Sequence, residues 1–255
     1  MQRDAYPAYG RWLDQVERAL GDHTLLLCLD EFEALEEAIA ERRLDSRILN
    51  MIRSIVQHRQ RIIVLLAGSH QLDELAPRWS SSLINTRMLP ISFLDADDAR
   101  ELIVQPIADF PAIYAPPAVE RILHLSHCQP LLIQSMCAEL VNLMNREHRQ
   151  PPASLVGVAD VERVIPVVFE RSAAYFDDLW RSQTDSKLAR HLLERIAQSP
   201  ANTCSIDAIR RSSDDPAALR EALNLLARRE IITRTDKSIS IAVPLVAQYI
   251  RQITS

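Results

Sequence analysis

With 255 residues, 47% of them hydrophobic and 25% charged, the chain can bury a sizeable core; its composition is globular rather than disordered, fibrous or disulfide-stapled. No apolar run approaches the roughly 20 residues that cross a bilayer, and the opening MQRDAYPAYGRWLDQVERAL lacks a signal-peptide core, so a cytoplasmic protein is expected. The net charge of −5 is uneven: residues 186–255 hold 11 Lys+Arg against 7 Asp+Glu, and residues 1–185 hold 18 against 27, which points to a separate C-terminal module. The four cysteines (Cys28, Cys128, Cys137, Cys204) never fall at CxxC spacing, so a zinc knuckle or redox pair is not indicated and reduced thiols in apolar settings are expected.

In chain order, residues 8–20 read as an amphipathic helix carrying Leu13, Val16 and Leu20, ended by Gly21-Asp22. The runs TLLLCL (24–29) and IIVLLA (62–67) are continuously apolar and predict parallel strands buried on both faces. About thirty residues of helical spacing separate them, the length of a right-handed crossover. MLPISF (88–93) predicts a third strand, with Pro90 near an edge or end. Helices then follow at 94–107 with Asp95 as N-cap, at 116–128, at 129–148 with Pro130 in the first turn, and around 161–169 and 175–180. The tail predicts helices at 186–198, 205–213 and 215–230, the last capped by Asp215. The strands 231–235 and 238–243 come next, joined by a turn at Asp236-Lys237, and helices followed by a hairpin is the order of a winged helix.

In a parallel sheet, ligands bind beyond the carboxyl ends of the strands. The first strand runs into Asp30 and Glu31, the residue types that hold magnesium and polarise an attacking water in nucleotide hydrolases. The competing reading makes either one the N-cap of a helix starting near Phe32. The second strand ends in AGSH (67–70), where Ser69 or His70 could reach a γ-phosphate or its water; for Ser69 a simple helix cap is the competing reading.

LLLCLDEFEALEEAI, RIIVLLAGSHQLDEL, RWSSSLINTRMLPISFLDADDARELIVQP and SHCQPLLIQSMCAELVNLMN occur in that order. As an ordered set they resemble the bacterial STAND branch of AAA+-like P-loop ATPases, the signal-transduction ATPases with numerous domains. The likeness spans about residues 8–255. It implies a partial α/β P-loop core with parallel strands and helices on both faces (1–108), an all-α lid (109–184) and a winged helix (185–255), mainly helical overall. It further implies ATP and Mg as cofactors, with Asp30 for the metal, Glu31 catalytic, and Ser69, His70 and Pro130 sensing nucleotide. Protein partners or self-association would then outrank DNA, and no membrane is implied.

Two features depart from that family. GxxxxGK[ST] does not occur: the four glycines (Gly10, Gly21, Gly68, Gly157) and two lysines (Lys187, Lys237) never form it. The lid's G-H-P is Cys128-Gln129-Pro130. In this sheet class the strand before the phosphate loop lies between those assigned to 62–67 and 88–93. Without it two edges stay unpaired, which is costly when buried. The expectation is therefore the C-terminal part of a longer ATPase, little active alone, or a chain completed by another.

Arg78 and Arg87 are candidates for reaching phosphate, against the reading of solvated arginines. His124, His127 and Cys128 have near-ligand spacing, but the end of a lid helix explains them better. Arg220, Arg228 and Arg229 on the 215–230 helix, with Arg234 and Lys237 on the hairpin, form a candidate nucleic-acid or partner surface interrupted by Glu221 and Glu230. The alternative function is a non-catalytic winged-helix DNA-binding or adaptor protein with a decayed ATPase core.

Overall fold

The computed structural model describes residues 5–68, 77–184, 186–211 and 215–254, and the chain divides into two compact units, 1–90 and 91–255. It is mostly helical, with a small parallel sheet in the first unit and a small antiparallel one in the second.

The first unit runs α1 (Ala5–Ala19), β1 (Leu25–Leu29), α2 (Ala34–Ala40), α3 (Arg47–His58), β2 (Ile62–Leu66) and α4 (Pro77–Ser82). The expected crossover forms: β1 and β2 pair in parallel, Leu25 opposite Ile62 through Leu29 opposite Leu66. The connecting stretch is two helices, broken at 41–46, where Arg42 takes a left-handed φ of 60°. On one sheet face, Leu25, Leu27 and Val64 pack with Leu13 of α1 and with Ile55 and Ile62. Leu29 and Leu66 pack with Phe32, Ile52 and Trp79.

The expectation of strands buried on both faces fails. Leu26 (55% exposed), Cys28, Ile63 (55%) and Leu65 (43%) alternate onto an uncovered face. Burial on both faces requires helices above and below, and among the described residues they lie on one side. Cys28 is accordingly exposed, not in the apolar setting expected of it.

The third strand, 88–93, does not form: residues 86–95 are neither helix nor strand, and Met88, Leu89 and Ile91 are exposed. A strand exists through its ladder, and no strand of the described chain stands beside this segment.

Arg59 clamps α1 onto the entry to β2. Its guanidinium reaches Asp14 (2.5 Å), Glu17 (3.1 Å) and the Gly10 carbonyl (3.4 Å). Glu17 in turn accepts the Gln60 and Arg61 N–H groups at 3.0 and 3.1 Å.

The second unit contains α5 (Ala96–Val104), α6 (Pro116–Ser126), α7 (Pro130–Arg146), α8 (Val158–Arg171), α9 (Ala173–Arg181) and α10 (Lys187–Gln198). It continues with β3 (Thr203–Ser205), α11 (Ile206–Arg211), α12 (Pro216–Arg228), β4 (Ile232–Arg234), β5 (Ser238–Ile241) and α13 (Pro244–Thr254). Asp95 and Asp215 cap as expected, Asp95 accepting the N–H groups of Asp97 and Asp98, and Asp215 those of Ala217 and Ala218. Pro130 and Pro216 open their helices, where a missing N–H costs nothing.

Two elements went unforeseen. β3 turns the hairpin into a three-stranded sheet of order β3-β5-β4, and α13 packs back on α6 and α10. One apolar core runs from Ala99 to Ile250, with Tyr249 of α13 stacked on Phe176 of α9 at 4.6 Å between ring centres.

Gly10 sits in mid-α1, and a Cβ there would meet only open space. Gly10→Ala is therefore expected to stabilise the first unit by about 1 kcal/mol through helix propensity, read from the urea midpoint. The Arg61 N–H, then the Arg59 guanidinium, hold the Glu17 carboxyl below its ordinary 4.5. A depressed folded pKa contributes stability at pH values above the ordinary one and loses it as pH falls through the folded value. Acid below about pH 4.5 is thus expected to release α1, seen as faster exchange of its amides, and Glu17→Gln should abolish that acid-dependent step.

Candidate functional site

The candidate site lies at the carboxyl ends of β1 and β2. Their register puts both ends at one level, and two bonds lock the level just beyond: Ala67 N–H to Leu29 O (2.9 Å) and Phe32 N–H to Ala67 O (3.1 Å). Asp30 and Glu31 are held between those bonds and are exposed. Asp30 Oδ1 accepts the Glu31 N–H at 3.0 Å. Glu31 takes a left-handed φ of 48°, a conformation that costs a side-chain-bearing residue about 1 kcal/mol or more and that is found at functional turns.

Neither residue caps the next helix. α2 begins at Ala34 behind Glu33, which makes no side-chain cap bond. Among the described residues no Lys, Arg or His pairs with Asp30 or Glu31. No three His, Cys, Asp or Glu converge on a cage there. Magnesium does not need one, since it commonly binds through one or two carboxylates completed by water and phosphate. The donor set fits that ion.

Opposite Asp30 the second strand delivers Ala67 and Gly68. A Cβ on Gly68 would fall 2.0 Å from Glu33 Oε2 and 2.9 Å from Phe32, so only glycine lets the Glu33 carboxylate lie against this backbone. Ser69 and His70 lie outside the described residues.

Behind the carboxylates is a brace the sequence did not announce. Trp79 of α4 is fully buried, edge-on to Phe32 with ring centres 5.3 Å apart, and donates its indole N–H to Glu36 Oε2 at 2.6 Å. Arg78 grips the same carboxylate, Nε to Oε2 at 3.2 Å and a terminal nitrogen to Oε1 at 2.5 Å. Arg78 thus holds α4 to α2. The available signal was a lone tryptophan in PRWSS: a buried indole needs an acceptor, and EFEALEE supplies four carboxylates nearby. Arg87 is exposed in the segment between α4 and α5.

In the second unit, α6 ends in two successive left-handed residues, His127 (φ 49°) and Cys128 (φ 61°), that swing the chain into Pro130. Gln129 caps α7, its side chain accepting the Leu132 N–H at 2.9 Å. His127 lies edge-on to Phe93 at 5.6 Å. A left-handed residue at 128 is where glycine would sit without strain.

Of the basic candidates, Arg220, Arg228, Arg234 and Lys237 are exposed. Arg234 bonds Asn224 at 2.8 Å, joining β4 to α12, while Arg229 is turned inward, donating to the Gln183 carbonyl at 2.7 Å.

Neither protein-family models nor curated proteins match the chain. Solved structures do. The Walker-type ATPase PABY2304 of Pyrococcus abyssi superposes with a TM-score of 0.60 at 17% identity, over 98% of this chain and 69% of that one. The chain has the fold of a Walker-type ATPase. The RuvB Holliday junction branch migration motor of Thermotoga maritima gives a TM-score of 0.44 at 14% identity, over 86% of this chain and 76% of its own. A variant of the same protein gives 0.44 at 15% over 85% and 66%. No helix among the described residues is long and apolar enough to cross a membrane.

Glu36→Ala leaves the buried Trp79 N–H without its acceptor and Arg78 without its partner. It is expected to cost about 2 kcal/mol in thermal or urea unfolding, and Glu36→Gln, which keeps an acceptor, about half as much.

Proposed function

We propose that the chain carries the metal- and water-handling half of an ATP site in a nucleotide-operated switch of the STAND/AAA+ type. The observation that carries this reading is the pair Asp30-Glu31, exposed and without a cationic partner among the described residues, where two in-register parallel strands end, in a chain with the fold of a Walker-type ATPase. Asp30 is assigned to magnesium, which when bound would offset phosphate charge. Glu31 is assigned to orienting and deprotonating the attacking water. Ser69 and His70 are assigned to the γ-phosphate side, and Pro130 to the start of the lid. The proposed functional division is core 1–108, lid 109–184 and winged helix 185–255, in which α5 belongs by packing to the second unit.

The phosphate loop and its strand are proposed to come from residues outside these 255 or from another chain. The open sheet face, with Leu26, Ile63 and Leu65 exposed, supports that reading, because a parallel sheet is normally covered on both sides. Self-association follows as the proposed partner mode.

The test is Mg-dependent ATP binding and hydrolysis, measured on this chain alone and joined to any in-frame upstream segment bearing GxxxxGK[ST]. Asp30→Ala is expected to abolish the Mg-dependent part of binding. Glu31→Gln should keep binding and lower turnover by at least about 100-fold, the usual scale for loss of a general base. ATP binding by the longer chain that is indifferent to Mg and to Asp30→Ala would overturn the assignment.

A further inference from the structure

The first unit leaves an apolar cleft partly open to solvent. Interiors are normally filled to crystal-like density, with few voids larger than a water. Here the core is split in two: one cluster around Phe32, Ile52 and Trp79, the other around Leu13, Ile55 and Ile62. Against both lies this cleft, with a volume of about 280 Å³. Its walls are Leu27 and Val64 from the sheet, Ile48 and Ile52 from α3, and Tyr9 from α1. Leu27, Val64 and Ile48 remain only half-buried although they face the helix-covered side.

The lining is aliphatic and aromatic apart from Asp30 and Glu31. These two carboxylates are exposed, and no protein cation among the described residues offsets them. An apolar cleft with two exposed acidic residues in its lining has the makings of a ligand site: burial of an apolar body supplies affinity, and a few polar groups supply orientation. An apolar cavity of about 150 Å³ already admits benzene, so this one has room for a single ring with a short side chain.

We infer that this cavity is a binding site for a compact arylalkyl or alkyl ammonium ion, its apolar body between α3 and the sheet and its cationic end against Asp30 and Glu31. Charge complementarity selects this occupant over a neutral or anionic molecule of equal shape. The inference needs only the charge of the two carboxylates. One consequence does rest on the magnesium assignment: an ammonium seated there competes with metal loading, and by linkage metal weakens amine binding by the same factor.

The test is a charge series of one shape, 2-phenylethylamine, 2-phenylethanol and 3-phenylpropionate, titrated into the unaltered chain while the methyl resonances of Ile48 and Ile52 are followed. Saturable shifts are expected, with the amine tighter than the alcohol by about tenfold at low salt and the carboxylate weakest. Asp30→Asn with Glu31→Gln should collapse that order while leaving the alcohol's affinity unchanged. Val64→Phe, which projects a ring into the cavity, should abolish all three and raise the melting temperature.

Equal binding of amine and alcohol would overturn the inference, because charge would then not select. So would the absence of saturable methyl shifts from any of the three, which would mean that the chamber is closed or filled by another segment. Neither result bears on ATP binding, so this inference and the proposed function fail separately.

Discussion

The candidate site depends on one register. Two parallel strands that never follow each other directly in sequence must be brought to the same level by everything between them, and here Leu29 meets Leu66. A slip of one residue would turn every side chain of a strand to the opposite face. It would also separate Asp30 from Ala67 and Gly68, because the turn after β1 is fixed by bonds to β2 and not by a helix cap. The α3 packing, the Arg59 clamp and the Glu36 brace all act to hold that register. Each is a tertiary device, which fits a two-stranded parallel pair too small to be stable alone.

Much of this was readable from sequence. The apolar runs LLLCL and IIVLL, thirty residues apart, could hardly be anything but a crossover pair. Carboxylates placed straight after the first run could only lie at the sheet's carboxyl end. The caps Asp95 and Asp215 and the proline starts of α7 and α12 follow from local rules that neighbours rarely override.

What failed did so for tertiary reasons. A continuous apolar run does not say which faces find cover, so Leu26, Ile63 and Leu65 lie on an open face although the run reads as buried on both sides. MLPISF has the composition of a strand, but strand formation is a property of pairs. The Trp79–Glu36–Arg78 brace joins residues 42 and 43 positions apart, and no local periodicity records such a contact. β3 is three residues long, below what alternation can reveal, and exists because β5 offers it an edge.

The closing helix α13 has a consequence for how the chain comes into being. Leu245, Ala247 and Ile250 are fully buried in a core whose other members begin at Ala99, and Tyr249 stacks on Phe176. During vectorial synthesis, helices α5 to α12 leave the ribosome with the apolar surface that α13 will cover still bare. The core of residues 91–255 cannot close before position 250 has cleared the exit tunnel, so the apolar surface that α13 covers stays open to misassociation until then.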